Sequence, residues 1–215
     1  MAWRTLMRRC PSKSMTVVGD IAQTGDIGGA TSWGSVLSPY VQNRWRLTEL
    51  SVNYRTPAEI MEVAADVLAS VDPALVPPTS VRETGVPPWV SAVSSLTSEV
   101  PELISGEVAA VGDGKVAVIV PEALLPSVGS SVVSAVPGSS QGNDLEEAQV
   151  VVLGVTDAKG LEFDSVVVVD PAGILTESPR GASDLYVALT RATQRLGVVH
   201  TGALPDVLSR LKDVS

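Results

Sequence analysis

The sequence Val155-Thr-Asp-Ala-Lys-Gly-Leu-Glu-Phe-Asp164 leads directly into the apolar stretch Ser165-Val-Val-Val-Val-Asp170. A short, unbroken run of β-branched residues is typical of a strand that is buried on both faces of a parallel sheet. Similar Val-rich runs recur along the chain. The predicted strands are Trp89–Val93, Val116–Val120, Val150–Val155, Val166–Asp170 and Leu196–Thr201.

Segments with helical periodicity separate these strands, and the predicted helices cover residues 56–70, 98–111, 181–195 and 203–212. Thr56, Pro57 and Glu59 predict a capped start for the first of them, with a capping box between Thr56 and Glu59. Alternating strands and helices predict an α/β fold, with a mostly parallel sheet and helices on both faces. The proline-rich residues 71–88 predict an extended linker, and the Ser/Gly-rich residues 127–142 predict a mobile surface loop.

Composition limits the class of protein. The chain is 45% hydrophobic and 18% charged, which excludes a disordered chain. No apolar run approaches the roughly 20 residues that span a bilayer, so we expect no membrane partner. The single cysteine, Cys10, cannot form an internal disulfide, and this indicates a cytoplasmic protein.

Charge is distributed unevenly along the chain. Residues 1–55 carry seven Lys/Arg and three Asp/Glu, whereas residues 56–215 carry eight and twenty-one. An acidic body is unfavourable for broad contact with phosphate backbones, because that affinity comes largely from Lys and Arg. Any contact with nucleic acid is therefore expected to be local.

Four short motifs contain the residues with recognisable chemistry. They are Val17-Val-Gly-Asp-Ile-Ala-Gln23, Leu50-Ser-Val-Asn-Tyr-Arg-Thr56, Thr156-Asp-Ala-Lys-Gly-Leu-Glu-Phe163 and Tyr186-Val-Ala-Leu-Thr-Arg-Ala192. Taken alone, the first is more typical of an ordinary turn after a strand, Met15–Val18. In the second, a tyrosine offers a flat face for stacking and an arginine offers a permanent planar cation for phosphate. In the fourth, helical spacing places Asp184, Arg191 and Arg195 on one flank, so Arg191 is predicted to point out of the domain.

In this order the motifs resemble those of the UvrD/Rep/PcrA superfamily of ATP-driven helicases, superfamily 1. The resemblance implies that residues 49–215 form the second RecA-like domain of a P-loop NTPase motor, and that residues 1–48 are the end of the first. It implies contacts of Arg55, Arg191 and Gln23 with the γ-phosphate of ATP. It also places Tyr54 on adenine, Glu162 on ribose and Asp20 at the nucleotide, with Thr156 and Lys159 near single-stranded DNA.

The sequence contains no phosphate loop. Gly112-Asp-Gly-Lys115 resembles one in part, but Ala109 and Val116 occupy the positions of the first glycine and the metal-binding hydroxyl, which favours a tight turn. ATP and Mg²⁺ are therefore expected to bind the first RecA-like domain of the complete protein. This chain alone is expected to be inactive. The interpretation depends on Arg55 and Arg191 projecting together. It would be wrong if either guanidinium were buried in its own domain, or if the two lay on opposite sides of the sheet.

Three functions remain open at this stage. The parent protein could be a DNA helicase, or an ATPase of the HelD-type branch that releases RNA polymerase from nucleic acid. Three features resemble the HelD-type branch: the acidic body, the spacing of about a hundred residues between the second and third motifs, and Thr156 at a position where many helicases carry histidine. The third alternative is a non-enzymatic module for protein contacts.

Overall fold

The computed structural model of the chain describes residues 2–10, 12–19, 32–142 and 147–213. The helices are α1 (Ala2–Arg9), α2 (Trp33–Val41), α3 (Ala58–Val71), α4 (Leu96–Val111), α5 (Leu125–Ala135), α6 (Pro171–Glu177) and α7 (Gly181–Leu189). The strands are β1 (Val52–Asn53), β2 (Thr79–Ser80), β3 (Trp89–Ala92), β4 (Val116–Val120), β5 (Ser139–Gln141), β6 (Val150–Gly154), β7 (Phe163–Val169), β8 (Ala192–His200) and β9 (Lys212–Asp213).

The main sheet has seven strands in the order β5-β6-β4-β7-β8-β3-β9, and every neighbouring pair is parallel. A second, two-stranded parallel sheet pairs β1 with β2. The central strands β4 and β6 are buried along their whole length. The Val-rich runs therefore form the interior of the sheet, as the sequence predicts.

Helices cover both faces of the sheet, because alternate residues of each strand enter two separate hydrophobic clusters. Ala117 and Ile119 of β4 belong to the cluster that also contains buried residues of α3 and α7. Val116 and Val118 belong to the cluster with residues of α4 and α5. The predicted α/β fold with a parallel sheet and helices on both faces is confirmed.

The predicted helix 181–195 is wrong beyond residue 189. Helix α7 ends at Leu189, and β8 begins at Ala192. The hydroxyl of Thr190 donates to the carbonyls of Tyr186 and Val187, which competes with continuation of the backbone helix. Pairing with β7 then draws the following residues into the sheet, and tertiary contacts override local propensity.

Other local predictions fail wholly or in part. Residues 127–142, predicted as a loop, contain most of α5 and all of β5, because Val128 and Val132 bury one face of the helix against the sheet. The predicted helix 203–212 contains only a 3₁₀ turn, Asp206–Leu208, before β9. The predicted strand Met15–Val18 is irregular and has no neighbouring strand to pair with among the described residues. The proline-rich linker is largely extended, but it contributes β2.

Candidate functional site

Two of the predicted site residues lie at the amino edge of the sheet, where β7 and β8 begin. Glu162 immediately precedes β7, and Arg191 immediately precedes β8. The N–H of Phe163 donates to the carbonyl of Arg191 at 3.0 Å, so the two strand entrances lie side by side. Motifs from two distant parts of the sequence therefore meet at one point.

The turn that carries Tyr54 and Arg55 is stabilised by the side chain of Asn53. Its Oδ1 accepts hydrogen bonds from the N–H of Arg55 at 2.9 Å and from the N–H of Thr56 at 3.2 Å. Tyr54 is left 76% exposed, so its ring is free to stack on a flat partner. Sequence reasoning named Tyr54 and Arg55 but missed the role of Asn53, although Asn directly before a turn is a recognised signal.

The predicted capping box at the start of α3 does not form. Pro57 occupies the N-cap position, and the hydroxyl of the buried Thr56 has no hydrogen-bond partner. The carboxylate of Glu59 instead accepts from the N–H groups of Thr84 and Gly85. Desolvation would raise the pKa of Glu59, but backbone hydrogen bonds, including those from Gly85 and Thr84, hold it below its ordinary value. The box fails because Glu59 binds a distant loop.

Arg55 and Glu162 form an ion pair, with 2.8 Å between Nη1 of Arg55 and Oε1 of Glu162. Their side chains are 37% and 50% exposed. The Nε of Arg55 is buried and has no hydrogen-bond partner. The second and third motifs are thus in direct contact, and part of the guanidinium remains without a partner.

Arg191 is placed differently from the prediction. It is 2% exposed, and its guanidinium donates to the carbonyls of Val187 at 3.1 Å and Leu161 at 3.2 Å. The prediction that this side chain points out of the domain is wrong, because it assumed a helix that continues past Arg191. The side chain instead folds back on the end of α7, where unpaired carbonyls and the helix dipole favour a cation. Arg55 and Arg191 therefore do not project together, and the form of the interpretation that requires two exposed arginines is wrong.

A pocket of about 180 Å³ opens beside Arg55. Its walls come from the turn before α3, from Pro78 and from the last turn of α7. The lining residues are Leu50, Val52, Asn53, Arg55, Thr56, Met61, Pro78, Tyr186 and Thr190. The pocket therefore combines an apolar wall with the Arg55 cation, a mixture that suits a ligand with both a flat apolar part and an anionic part.

The segment Val155–Glu162 connects opposite edges of the sheet. It leaves the carboxyl end of β6 and enters the amino end of β7, with β4 between the two strands. Thr156 is exposed near its start. The ammonium of Lys159 lies 3.2 Å from Oδ1 of Asp184, whose other carboxylate oxygen accepts from Ser178. Lys159 is thus paired within the domain, and sequence reasoning missed Asp184 as its partner.

The carboxyl edge near Thr156 is acidic. Burial raises the pKa of Glu122 above its ordinary value, and the nearby charges of Asp157 and Glu177 add to the increase. Negative side chains beside Thr156 repel a phosphate backbone. Gln23 and Asp20, the remaining predicted site residues, lie outside the described residues.

No group of three or more His, Cys, Asp or Glu in the described part of the chain could hold a metal ion. Among the helices that the structure describes, none is sufficiently long and apolar to cross a membrane.

The parallel sheet and its helices on both faces define an open α/β domain with a polar cluster at the amino edge of its sheet. Residues 149–199 match the family described as UvrD-like helicase C-terminal domain. This match includes the third and fourth motifs and the strands that follow them. This part of the chain therefore resembles the C-terminal domain of UvrD-like helicases.

A solved structure has a similar fold. The C-terminal domain of a "possible DNA helicase" from Lactobacillus plantarum WCFS1 is similar, with a TM-score of 0.56 at 20% identity, over 74% of this chain and 94% of that one. The Pyrococcus furiosus Hef helicase domain gives a TM-score of 0.35 at 13% identity, over 50% of this chain and 26% of that one. The Sulfolobus solfataricus SWI2/SNF2 ATPase core in complex with dsDNA gives 0.41 at 12% identity, over 74% and 35%. No curated protein sequence matches the chain.

Proposed function

We propose that the chain is the C-terminal motor half of an ATP-dependent helicase, which closes over ATP and Mg²⁺ held by a first RecA-like domain of the same protein. One observation carries the proposal. Arg55 and Glu162, which belong to different motifs, meet at 2.8 Å beside an exposed Tyr54. The bound nucleotide would supply the phosphoanhydride bond whose hydrolysis drives the motor.

In this proposal the described residues have separate tasks. Tyr54 stacks on adenine, Arg55 stabilises negative charge at the γ-phosphate, and Glu162 accepts from the ribose. Gln23 and Asp20 would complete the site from residues 1–48, which we assign to the end of the first domain. In support of that boundary, both hydrophobic clusters consist of described residues from Ile60 onward.

The task of Arg191 differs from an exposed arginine finger. Its hydrogen bond to the carbonyl of Leu161 fixes the backbone next to Glu162. We therefore assign Arg191 to holding that segment in place. A direct contact with the γ-phosphate stays a prediction, and it requires the side chain to leave both Val187 and Leu161.

The macromolecule on which the motor acts has two candidates. Single-stranded DNA near Thr156 and Lys159 is the first. The second is RNA polymerase, released from nucleic acid as by the HelD-type branch. The second is favoured by the pairing of Lys159 with Asp184 and by the acidic side chains around Thr156. Stimulation of ATP hydrolysis by single-stranded DNA supports the first candidate, whereas stimulation by polymerase with little response to DNA supports the second.

The test of the nucleotide site uses the protein that contains this chain together with its first motor domain. Arg55→Gln is expected to lower kcat for ATP hydrolysis about 1,000-fold, because arginine fingers contribute roughly 10³–10⁵ in rate. Tyr54→Ala is expected to raise KM about tenfold through lost base stacking. Arg210→Gln is the control, since Arg210 is also ion-paired and half-exposed but contacts Asp66 instead. An Arg55→Gln protein with the turnover of the control would refute the proposal.

A further inference from the structure

The ion pair between Arg55 and Glu162 joins two side chains that the proposed function assigns to different parts of a nucleotide. Nη1 of Arg55 and Oε1 of Glu162 are 2.8 Å apart. In that function, the guanidinium belongs to a phosphate and the carboxylate to a ribose. In this structure the Glu162 carboxylate occupies the position at Arg55 that a phosphate would take.

The guanidinium is only partly satisfied by Glu162. Its Nε is buried and has no hydrogen-bond partner. A guanidinium has five N–H donors, arranged so that it can bind two oxygens at once. A phosphate group presents several strong acceptor oxygens and can bind such a fork in a bidentate manner. Both side chains are more than one-third exposed, so an anion from solvent can reach the pair.

The backbone on each side of the pair is held in place. Oδ1 of Asn53 accepts from the N–H of Arg55. On the other side, Arg191 donates to the carbonyl of Leu161 and accepts from the N–H of Phe163. Arg55 can therefore exchange one anion for another by side-chain rotation alone, without a change in the fold.

We propose that Glu162 is a positioning residue that substitutes for phosphate at Arg55 while nucleotide is absent. The carboxylate holds the guanidinium at the amino edge of the sheet and releases it when a phosphate binds. Glu162 then becomes available to the ribose. This inference rests on the proposed function and adds a competition between an internal and an external anion.

The competition predicts a small, specific effect. Ion pairs between exposed side chains are weak, so removal of the Glu162 charge should improve phosphate binding by roughly two- to fivefold. A suitable probe is tripolyphosphate, which has no base or ribose. Its dissociation constant for the 215-residue chain can be measured by NMR, from the shift of the Arg55 Nε–H signal and of nearby amides.

Four variants separate this effect from the effect of a change in net charge. Glu162→Gln keeps the size of the side chain and removes its charge. Asp66→Asn removes one negative charge from another half-exposed arginine pair, Arg210–Asp66, and is the matched control. Arg55→Gln removes the guanidinium, and the double variant removes both partners. The amide spectrum of each variant confirms that it is folded.

Glu162→Gln is expected to lower the dissociation constant two- to fivefold in the unmodified chain and to have no effect when Arg55 is Gln. Asp66→Asn is expected to leave it unchanged. An unchanged or weaker affinity in Glu162→Gln would overturn the inference, as would an equal gain with and without Arg55. If Arg55→Gln itself binds as tightly as the unmodified chain, the phosphate role of Arg55 in the proposed function fails as well. If only the Glu162→Gln gain is missing, that role survives.

Discussion

Asn53 determines the direction in which Tyr54 and Arg55 point, because its amide oxygen accepts two backbone N–H groups of the turn. Asn53→Leu removes this acceptor at nearly constant size and is expected to reduce the free energy of unfolding by about 1 kcal/mol, as for the loss of a capping side chain. Asn53→Asp keeps an acceptor oxygen and should remain close to the unmodified chain. Urea unfolding measures both. Equal destabilisation by the two substitutions would contradict the role of the oxygen.

At the scale of single residues, the sequence predicts chemistry better than placement. Tyr54 and Arg55 are correctly expected at a turn before a helix, since Pro57 and the apolar spacing of α3 determine where that helix begins. The position of Arg191 could not be predicted in the same way. Its burial depends on where α7 ends, and that point is set by pairing between β7 and β8 across thirty residues of sequence.

Alanine substitutions at two glycines are expected to change the free energy of unfolding in opposite directions. A Cβ added to Gly197 of β8 would collide with the ring of Trp89, whose Nε1 is hydrogen-bonded to Glu107. Gly197→Ala is therefore expected to lower the free energy of unfolding by about 1–3 kcal/mol. A Cβ at Gly106 of α4 meets nothing within 4 Å, so Gly106→Ala should raise it by about 0.5–1 kcal/mol. Thermal unfolding of both variants checks the signs, and a stabilised Gly197→Ala would show that Trp89 can move.

Helix α4 is attached to the sheet through the buried carboxylate of Glu107. This group accepts from Arg195 at 2.8 Å and 3.0 Å, from Ser165 at 2.6 Å and from Trp89 at 3.0 Å. Desolvation would raise the pKa of Glu107. The hydrogen bonds from Arg195 and Ser165, the charge of Arg195 and the bond from Trp89 instead hold the pKa below its ordinary value.

This lowered pKa predicts a dependence of stability on pH. The unfolded chain binds the proton more readily, so the stabilisation is fully present above a pKa of about 4.3 and is lost as the pH falls through the lower folded value. Glu107→Gln is expected to cost about 2 kcal/mol at pH 7. The cost should shrink at pH 3, and urea unfolding at both pH values measures it. A cost that is independent of pH would mean that the charge contributes nothing.

At the scale of helices and strands, long buried runs are predictable and short, polar ones are not. Strand β4 matches its predicted bounds because its short, Val-rich run is typical of a strand that is buried on both faces. Helix α5 is predicted as a loop because its serines and Gly129 have low helix propensity. Its buried valines, four residues apart, outweigh that propensity once the sheet is present. The sequence alone does not show which surface those valines contact.

At the scale of the whole molecule, the polar cluster lies at the amino edge of the main sheet. Open α/β sheets commonly bind ligands at the carboxyl edge, where helix N-termini offer free N–H groups to anions. Here α7 ends at the cluster and presents a helix C-terminus, which is unfavourable for phosphate. The start of α3 is also near, but the N–H groups of Arg55, Thr56 and Ala58 are bonded within the chain. A ligand at this edge would therefore meet side chains and not free backbone N–H groups, and Arg55 supplies an exposed cation there.

This arrangement predicts that the 215-residue chain cannot hydrolyse ATP by itself. One exposed guanidinium and one stacking ring can contact a nucleotide, but they cannot hold a triphosphate in line with an attacking water, which depends on a phosphate cradle and a bound metal ion. Purified chain should release phosphate from ATP at the rate of buffer, and Arg55→Gln should not change that rate. Addition of the first RecA-like domain, fused or in trans, should restore turnover that depends on Arg55. Turnover by the chain alone that disappears in Arg55→Gln would show that the catalytic site is complete within these residues, and the division of the motor into two halves would be wrong.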